Sequence, residues 1–323
     1  MTAPRMISAT ELRAVIGFQD LIDPMAEAFR QSSASEAQNG LIVMFPADTP
    51  EEGDVYVKTG ALRGCDIHIV KIAPWFAVNA REGRPQGGFV AVLDSRTGHA
   101  RAIIADEHYL SDIRTAATGA LVTRWLAPER VKTVSVLGTG TQAYLQALAV
   151  HHERPFSRLS IWGRDPAKAA ALAARLKIEL SLDACEVARD VETAVRAADV
   201  LVTATLSRQP IVQGEWVKPG QLVIAVGADD PTKCELDPTA LLRARVFVDA
   251  RETAATNGDV FHAIKAGHNI DQLVAAELGE VISGQVLGRM SQDDIVIAKL
   301  VGIGAQDVIA AQCAIGRFAN SLV

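Results

Sequence analysis

From Val134 to Val150 the chain reads Val-Ser-Val-Leu-Gly-Thr-Gly-Thr-Gln-Ala and then Tyr-Leu-Gln-Ala-Leu-Ala-Val. A β-branched run, a glycine turn and an alanine- and leucine-rich run predict a buried parallel strand followed by a helix packed back on it. The turn has the form G-x-G-x-x-A. Gly138 permits the tight turn, Gly140 lets backbone approach a pyrophosphate, Ala143 allows helix and sheet to pack closely, and the helix N-terminus faces the phosphate charge. Ordinary strand-turn-helix connections share this glycine spacing, so the motif alone leaves both readings open. A second strand, Leu159-Ser160-Ile161-Trp162, with Gly163-Arg164-Asp165 and a helical run from Pro166 to Leu176 after it, completes a β-α-β unit. At that point an NAD site offers a carboxylate to the ribose and an NADP site a cation to the 2′-phosphate. Arg164 comes first, which leans the expected cofactor, NAD(P), towards NADP; Asp165 is alternatively a helix cap.

The rest of the chain extends this pattern. Strands are expected at Ala184–Val187, Val200–Ala204, Leu222–Val226 and Arg245–Asp249, with a helix from Val191 to Ala197. Strands alternating with helices give an α/β fold, a Rossmann-type doubly wound parallel sheet, with Thr203 and Val226 at the carboxyl ends where ligands bind. The first third differs. Residues 7 to 35 predict one or two amphipathic helices, with Pro24 opening the second. Short β-rich runs follow at Leu41–Phe45, Val55–Lys58 and Ile67–Ile72. Phe89–Asp94 and Ala100–Ala105 bracket the turn Ser95-Arg96-Thr97-Gly98, a hairpin. Ser111 or Asp112 should cap an alanine-rich helix running to about Trp125. The expected division is an α+β substrate and dimerisation domain over 1–120, to which 300–323 returns, and an NAD(P)-binding domain over 121–299.

A formal charge of −6 argues against nucleic acid or an anionic membrane as partner. Cys65, Cys185, Cys234 and Cys313 are far apart and form no C-x-x-C pair, so neither a disulfide framework nor a zinc knuckle is suggested, which fits a reducing cytoplasm. Seven scattered histidines lack metal-ligand spacing, so no metal is expected. His151-His152 suits the C-terminal end of the first dinucleotide helix. The apolar C-terminal run is interrupted by Lys299, Gln306 and Asp307, and the chain is expected to be soluble.

Ionisable groups gather in the loop after Val226, Gly227-Ala228-Asp229-Asp230-Pro231-Thr232-Lys233-Cys234-Glu235-Leu236, and at Arg114 near a helix start. Paired aspartates closing an apolar strand suit an acid of raised pKa, or else a solvated Asp-Pro turn. With Val70-Lys71-Ile72, Leu110-Ser111-Asp112-Ile113-Arg114-Thr115-Ala116-Ala117, the Gly138 turn, Ala276-Glu277-Leu278-Gly279-Glu280-Val281, Gly284, Gly288-Arg289, Lys299, Val301-Gly302 and Gln306-Asp307, nearly the whole chain resembles the ornithine cyclodeaminase/mu-crystallin family. Archaeal-type alanine dehydrogenases and imine reductases belong to it. The resemblance implies a nicotinamide-dependent homodimer joined through the N-terminal domain. It also implies that Lys71 and Arg114 hold a substrate carboxylate, with Lys71 close to the chemistry, and that Asp229 is the acid/base on the substrate nitrogen. Thr115, Gly138, Gly140, Thr141, Gln142, Gly163, Arg164, Asp165, Thr203, Val226 and Val301 would line the cofactor.

The chain departs from the family pattern in places. Gln38-Asn39-Gly40-Leu41 stands where a carboxylate-directed arginine is usual, Tyr56-Val57-Lys58 replaces a methionine-proline-alanine pattern, so that Lys58 could take over, and Leu300 replaces a serine. Asp230 adds a second acid. Three functions follow from the resemblance: an NAD(P)H-dependent imine reductase or amino-acid dehydrogenase acting on a small 2-imino acid such as a pyrroline carboxylate, an ornithine- or lysine-type cyclodeaminase, and a non-catalytic crystallin-like NADP-binding protein.

Overall fold

The computed structural model describes residues 3–318. They divide into two compact units, one of the residues up to Ala117 with those from Ile303 on, the other running from Thr118 to Gly302.

The first unit is built on a six-stranded sheet. Ala37–Met44, Gly53–Leu62, Ile67–Phe76, Phe89–Asp94 and Ala100–Ala105 pair antiparallel in sequence, and Arg5–Ser8 adds a parallel edge. The edge strand and the length of the two central strands exceed the sequence expectation, because the antiparallel ladder carries through polar residues that periodicity alone does not score. Directly paired residues share a face. One row, Leu41, Lys58, Lys71, Val90, Ile104 and Ile7, faces the helices Ile22–Ser33 and Gly304–Arg317. The row on the other face is Ile42, Val57, Ile72 and Phe89, and Ile42 and Met44 at its edge are 61% and 45% exposed.

The helix Gly304–Arg317 can lie this close because both surfaces are glycine where they touch. A Cβ on Gly304 would stand 1.9 Å from the Thr59 carbonyl oxygen, and one on Gly60 2.4 Å from the Gly304 oxygen. Its N-terminus is tied down by Asn39, whose Oδ1 accepts from Ala305 N at 2.8 Å. Asn39 therefore holds the first turn of the helix.

The second unit holds an eight-stranded parallel sheet in the order Val274–Glu277, Arg245–Val248, Val296–Lys299, Leu222–Ala225, Val200–Thr203, Thr133–Leu137, Arg158–Trp162, Ala184–Val187. This is the Rossmann-type sheet expected, with the glycine turn after its first strand at the switch of direction. Its central strands are buried on both faces, which is why they read as unbroken apolar runs. Val274–Glu277 and the parallel pair Arg208–Val212 with Cys234–Leu236 escape sequence reading, being three to five residues long with alanine, proline or charge inside them.

One cap is corrected. The helix Tyr109–Leu126 begins before Ser111 and Asp112, and Asp106 Oδ2 accepts from Leu110 N at 2.9 Å. Glu107 and His108 take left-handed backbone, φ 51° and 67°, which folds Asp106 back over the first turn. Ser111 is thereby freed to meet Lys71 instead.

Candidate active site

Two groups of ionisable side chains lie on the elements just described, one in each unit. In the first unit, Lys58 and Lys71 stand directly opposite each other on the inner face of the sheet, both 3% exposed. Like charges so paired destabilise a sheet, and burying either ammonium alone costs several kcal/mol. The compensation arrives from the chain's far end. Asp307 Oδ1 accepts from Lys71 Nζ at 2.8 Å and from Arg114 Nε at 3.1 Å. Lys71 also donates to Ser111 Oγ at 3.2 Å, and Arg114 Nη1 to Gln306 Oε1 at 3.4 Å. Gln306 in turn accepts from Ile303 N, which fixes the helix start.

The electrostatics follow from burial and company. Burial opposes the charge on Asp307, but Lys71, Arg114 and Lys58 outweigh it and hold its carboxyl below the usual range. Burial lowers the Lys71 ammonium from its ordinary value, Arg114 adds to that, and Asp307 works against it. Burial raises Asp106 while Lys71 opposes. His108 is pushed down to about 4 by burial and by Lys71, against a pull from the Pro74 carbonyl, so its ring is neutral at pH 7. The structure thus brings together Lys58, Lys71 and Arg114, three of the residues the sequence singles out. Asp307 is the member whose role sequence reading misses. Its signal is a lone acid inside the apolar helical run Ala-Gln-Asp-Val-Ile-Ala-Ala. Thr115, on the same helix as Arg114, bonds back to Ser111 O at 2.8 Å.

In the second unit the glycine turn has the shape its spacing predicts. Gly138 is at φ 129°, and a Cβ there would stand 2.3 Å from the Ala204 oxygen. Gly140 is the N-cap of the helix Thr141–Glu153 with no side-chain bond to its first amides, and a Cβ on it would meet only open space. A glycine-capped helix N-terminus beside an open cradle fits a dinucleotide pyrophosphate. Gly163 packs under the turn, where a Cβ would lie 2.5 Å from the Thr139 methyl. Asp165 caps the helix Pro166–Glu179 through Ala167 N and Lys168 N, and Arg164 is exposed.

The carboxyl edge is stitched by buried acids. Glu235 accepts from Thr203 Oγ1 and Gly227 N through one oxygen, and from Thr205 N and Oγ1 through the other, at 2.7 to 2.9 Å. Burial and neighbouring Asp259 push its carboxyl up. Asp259 accepts from Glu235 N and Leu236 N and pairs with Lys299 at 3.2 Å. Asp249 Oδ2 accepts from Val301 N and Gly302 N. Glu235, Asp259 and Asp249 thus join the loops bearing Thr203, Val226 and Val301; sequence reading gave no role to these three acids.

Asp230 corrects the expectation of an acid of raised pKa. It is fully buried, and its Oδ1 accepts from Thr232 N and Oγ1, both at 2.6 Å, and from Lys233 N at 3.0 Å. Burial is outweighed by Lys233 and these bonds, so its carboxyl sits below the ordinary value. It is the internal brace of the turn. The Asp229 side chain is 34% exposed and pairs with Lys233 Nζ at 2.9 Å. His151, placed in the last turn of its helix as expected, packs edge-on to Phe156, and burial lowers its pKa. No group of three or more His, Cys, Asp and Glu residues suited to a metal occurs among the described residues.

Replacing Asp307 by alanine leaves three buried cations without their shared carboxylate and should cost about 3–5 kcal/mol, measured by urea unfolding at pH 7. Because the folded pKa of Asp307 is depressed, its stabilisation is present above the unfolded carboxylate value of about 3.9 and is lost as pH falls towards the folded value. Asp307→Asn should therefore flatten the acid side of the stability profile.

The family is identified by comparison. A profile of the ornithine cyclodeaminase/mu-crystallin family matches residues 3–321. The chain is 37% identical to a protein of Rhizobium meliloti (strain 1021) provisionally assigned as a dehydrogenase, over 98% of this chain and 96% of that one. It is 31% identical to the Delta(1)-pyrroline-2-carboxylate reductase of Bacillus cereus, over 95% and 94%. An archaeal alanine dehydrogenase dimer with bound NAD superposes with a TM-score of 0.90 at 27% identity, covering 99% of this chain and 97% of that one. The chain belongs to the ornithine cyclodeaminase/mu-crystallin family.

Proposed function

We propose that the chain is an NAD(P)H-dependent oxidoreductase that interconverts a small 2-imino acid and the corresponding amino acid. The observation that carries this reading is the buried Lys58–Lys71–Arg114 group around Asp307, in a chain with a dinucleotide turn. Relatives that act on a pyrroline carboxylate and on alanine support it. In this reading Arg114 offers a planar fork and Lys58 and Lys71 point charges to the substrate carboxylate, which fixes the imine carbon. A bound reduced nicotinamide supplies the hydride that this carbon accepts. The nitrogen takes up one proton, and imine, hydride and proton balance to the amine. Asp229 is the acid/base at that nitrogen, and Lys71, with its weakened hold on its proton, is the second group able to serve.

The Gly138–Gln142 turn would hold the pyrophosphate, with Thr115, Thr203, Val226 and Val301 along the cofactor. Asp165 is engaged as a helix cap, so after the second strand the free group is the cation of Arg164. That supports NADP over NAD. A second copy of the chain would cover the outer row Ile42, Val57, Ile72 and Phe89, an apolar face on which Ile42 is 61% and Phe89 37% exposed.

With purified protein, NADPH or NADH and a panel of cyclic and acyclic 2-imino acids, oxidation of the reduced cofactor should be seen by absorbance. Asp229→Asn should lower kcat by a factor of 100 or more on the scale of about 10²–10⁴ for general acid/base groups, with cofactor affinity kept. Flat absorbance with ammonia release from ornithine or lysine and catalytic NAD would make the chain a cyclodeaminase, and silence in both assays a binding protein. Arg164→Ala should cut the NADPH-to-NADH preference in kcat/KM by about tenfold, the loss of one charge-assisted hydrogen bond at ~1.5 kcal/mol. Ile42→Asp should convert dimers to monomers in sedimentation, and monomeric wild-type protein would remove the dimer from the proposal.

A further inference from the structure

We propose that Glu235 is a positioning residue for the reaction, its carboxylate tying the loop that lines the cofactor to the loop that carries Asp229, so that the two keep one spacing. This rests on the reading of Thr203 as cofactor-lining and of Asp229 as acid/base. The two loops leave neighbouring strands of the parallel sheet, whose last paired residues are Thr203 and Ala225. Beyond that pair the chains part, the first over residues 204–207 and the second over 226–233. They meet again as the short parallel ladder of Arg208–Val212 with Cys234–Leu236. Both loops are therefore held at each end, and Glu235 reaches from the far ladder into the space between them.

Four donors converge on this side chain. Thr205 N and Oγ1 donate to Oε1, both at 2.7 Å, while Thr203 Oγ1 and Gly227 N donate to Oε2 at 2.8 and 2.9 Å. Three of the four belong to the cofactor loop, and the last stands two residues before Asp229. The fit is close: a Cβ on Gly227 would stand 2.5 Å from Glu235 Oε1 and 2.4 Å from the Thr205 oxygen. Ala204, inside the tied segment, packs on the glycine turn, since a Cβ on Gly138 would lie 2.3 Å from its oxygen. Contacts thus run from the turn read as the pyrophosphate site through Ala204, Thr205 and Glu235 to Gly227 and on to Asp229.

The tie is also fixed at its root. Asp259 Oδ1 accepts from Glu235 N at 2.6 Å and from Leu236 N at 2.8 Å, and Asp259 Oδ2 meets Lys299 Nζ at 3.2 Å, all three side chains being buried. A carboxylate accepts through both oxygens, whereas an amide of the same length has one acceptor and one donor end. In place of Glu235 it would turn N–H groups against the backbone amide of Thr205 or of Gly227, and one loop would have to move away from the other. Reacting groups held by such a tie lose rate steeply when it shifts, about 10²-fold for a misplacement of about 1 Å.

The test is single-turnover stopped flow, with full-length protein in excess over its preferred reduced nicotinamide and the best imino acid of the panel. The amplitude counts folded sites and the rate reports hydride transfer, so a merely structural role moves only the first. Glu235→Gln should slow the rate by about tenfold or more, with the amplitude kept and cofactor affinity, measured by fluorescence titration, unchanged. Thr205→Val, which removes one hydroxyl and keeps the amide, should slow it in the same direction by less. A wild-type rate in Glu235→Gln, or a loss of amplitude alone, in a protein whose Asp229→Asn variant is inactive, overturns the positioning role and leaves Asp229 standing. An active Asp229→Asn variant overturns the acid/base reading and the purpose of the tie with it, and a wild type silent on the whole panel overturns both. Should Glu235→Gln fail to fold, a wild-type rate in Thr205→Val is the result that defeats the proposal.

Discussion

The ion group at Asp307 is the constraint on which the first unit depends. Two lysines on neighbouring strands face each other out of water, and an arginine joins them from a helix. No sheet tolerates that arrangement unless an anion is supplied, and the strands supply none at that position. The carboxylate comes 193 residues after Arg114 and 236 after Lys71. The return of the last helix is therefore an electrostatic requirement as much as a packing one. The glycine pair Gly60 and Gly304 makes it sterically possible, and Asn39 fastens its first turn.

Burying cations in this way is poor for stability compared with an apolar core. Functional sites are where such arrangements persist, because donors fixed before an anion arrives do not have to be ordered when it does. Lys58 belongs to the same economy of charge. Facing Lys71 across neighbouring strands, it adds a second buried ammonium to the group around Asp307.

The parallel sheet was legible because its strands are buried on both faces and so spell themselves out as apolar runs, and because the glycine turn has steric demands that few residues meet. Lys71, Arg114 and Asp229 are singled out by family resemblance alone, since a charge by itself says nothing about what it faces. Two kinds of feature were hidden. Asp106 caps its helix only because Glu107 and His108 adopt left-handed backbone, which no periodicity announces. Asp249, Asp259 and Glu235 read as scattered acids; their work is to gather backbone amides from loops far apart in sequence, and only three-dimensional closeness reveals it. Asp230 was misread for the opposite reason. Beside Asp229 it looks like a second acid, whereas its oxygens are consumed by the turn it closes.

The break in the first unit also orders the birth of the chain. The unit from Thr118 to Gly302 is continuous, so its contacts can close as soon as its last strand leaves the ribosome. The earlier sheet must wait through some 185 further residues, roughly ten seconds or more of synthesis at about 5–20 residues per second, for the helix bearing Asp307. During that wait its inner face presents Lys58, Lys71 and Arg114 without the Asp307 carboxylate. The buried ion group is thus the last part of the first unit that synthesis can complete.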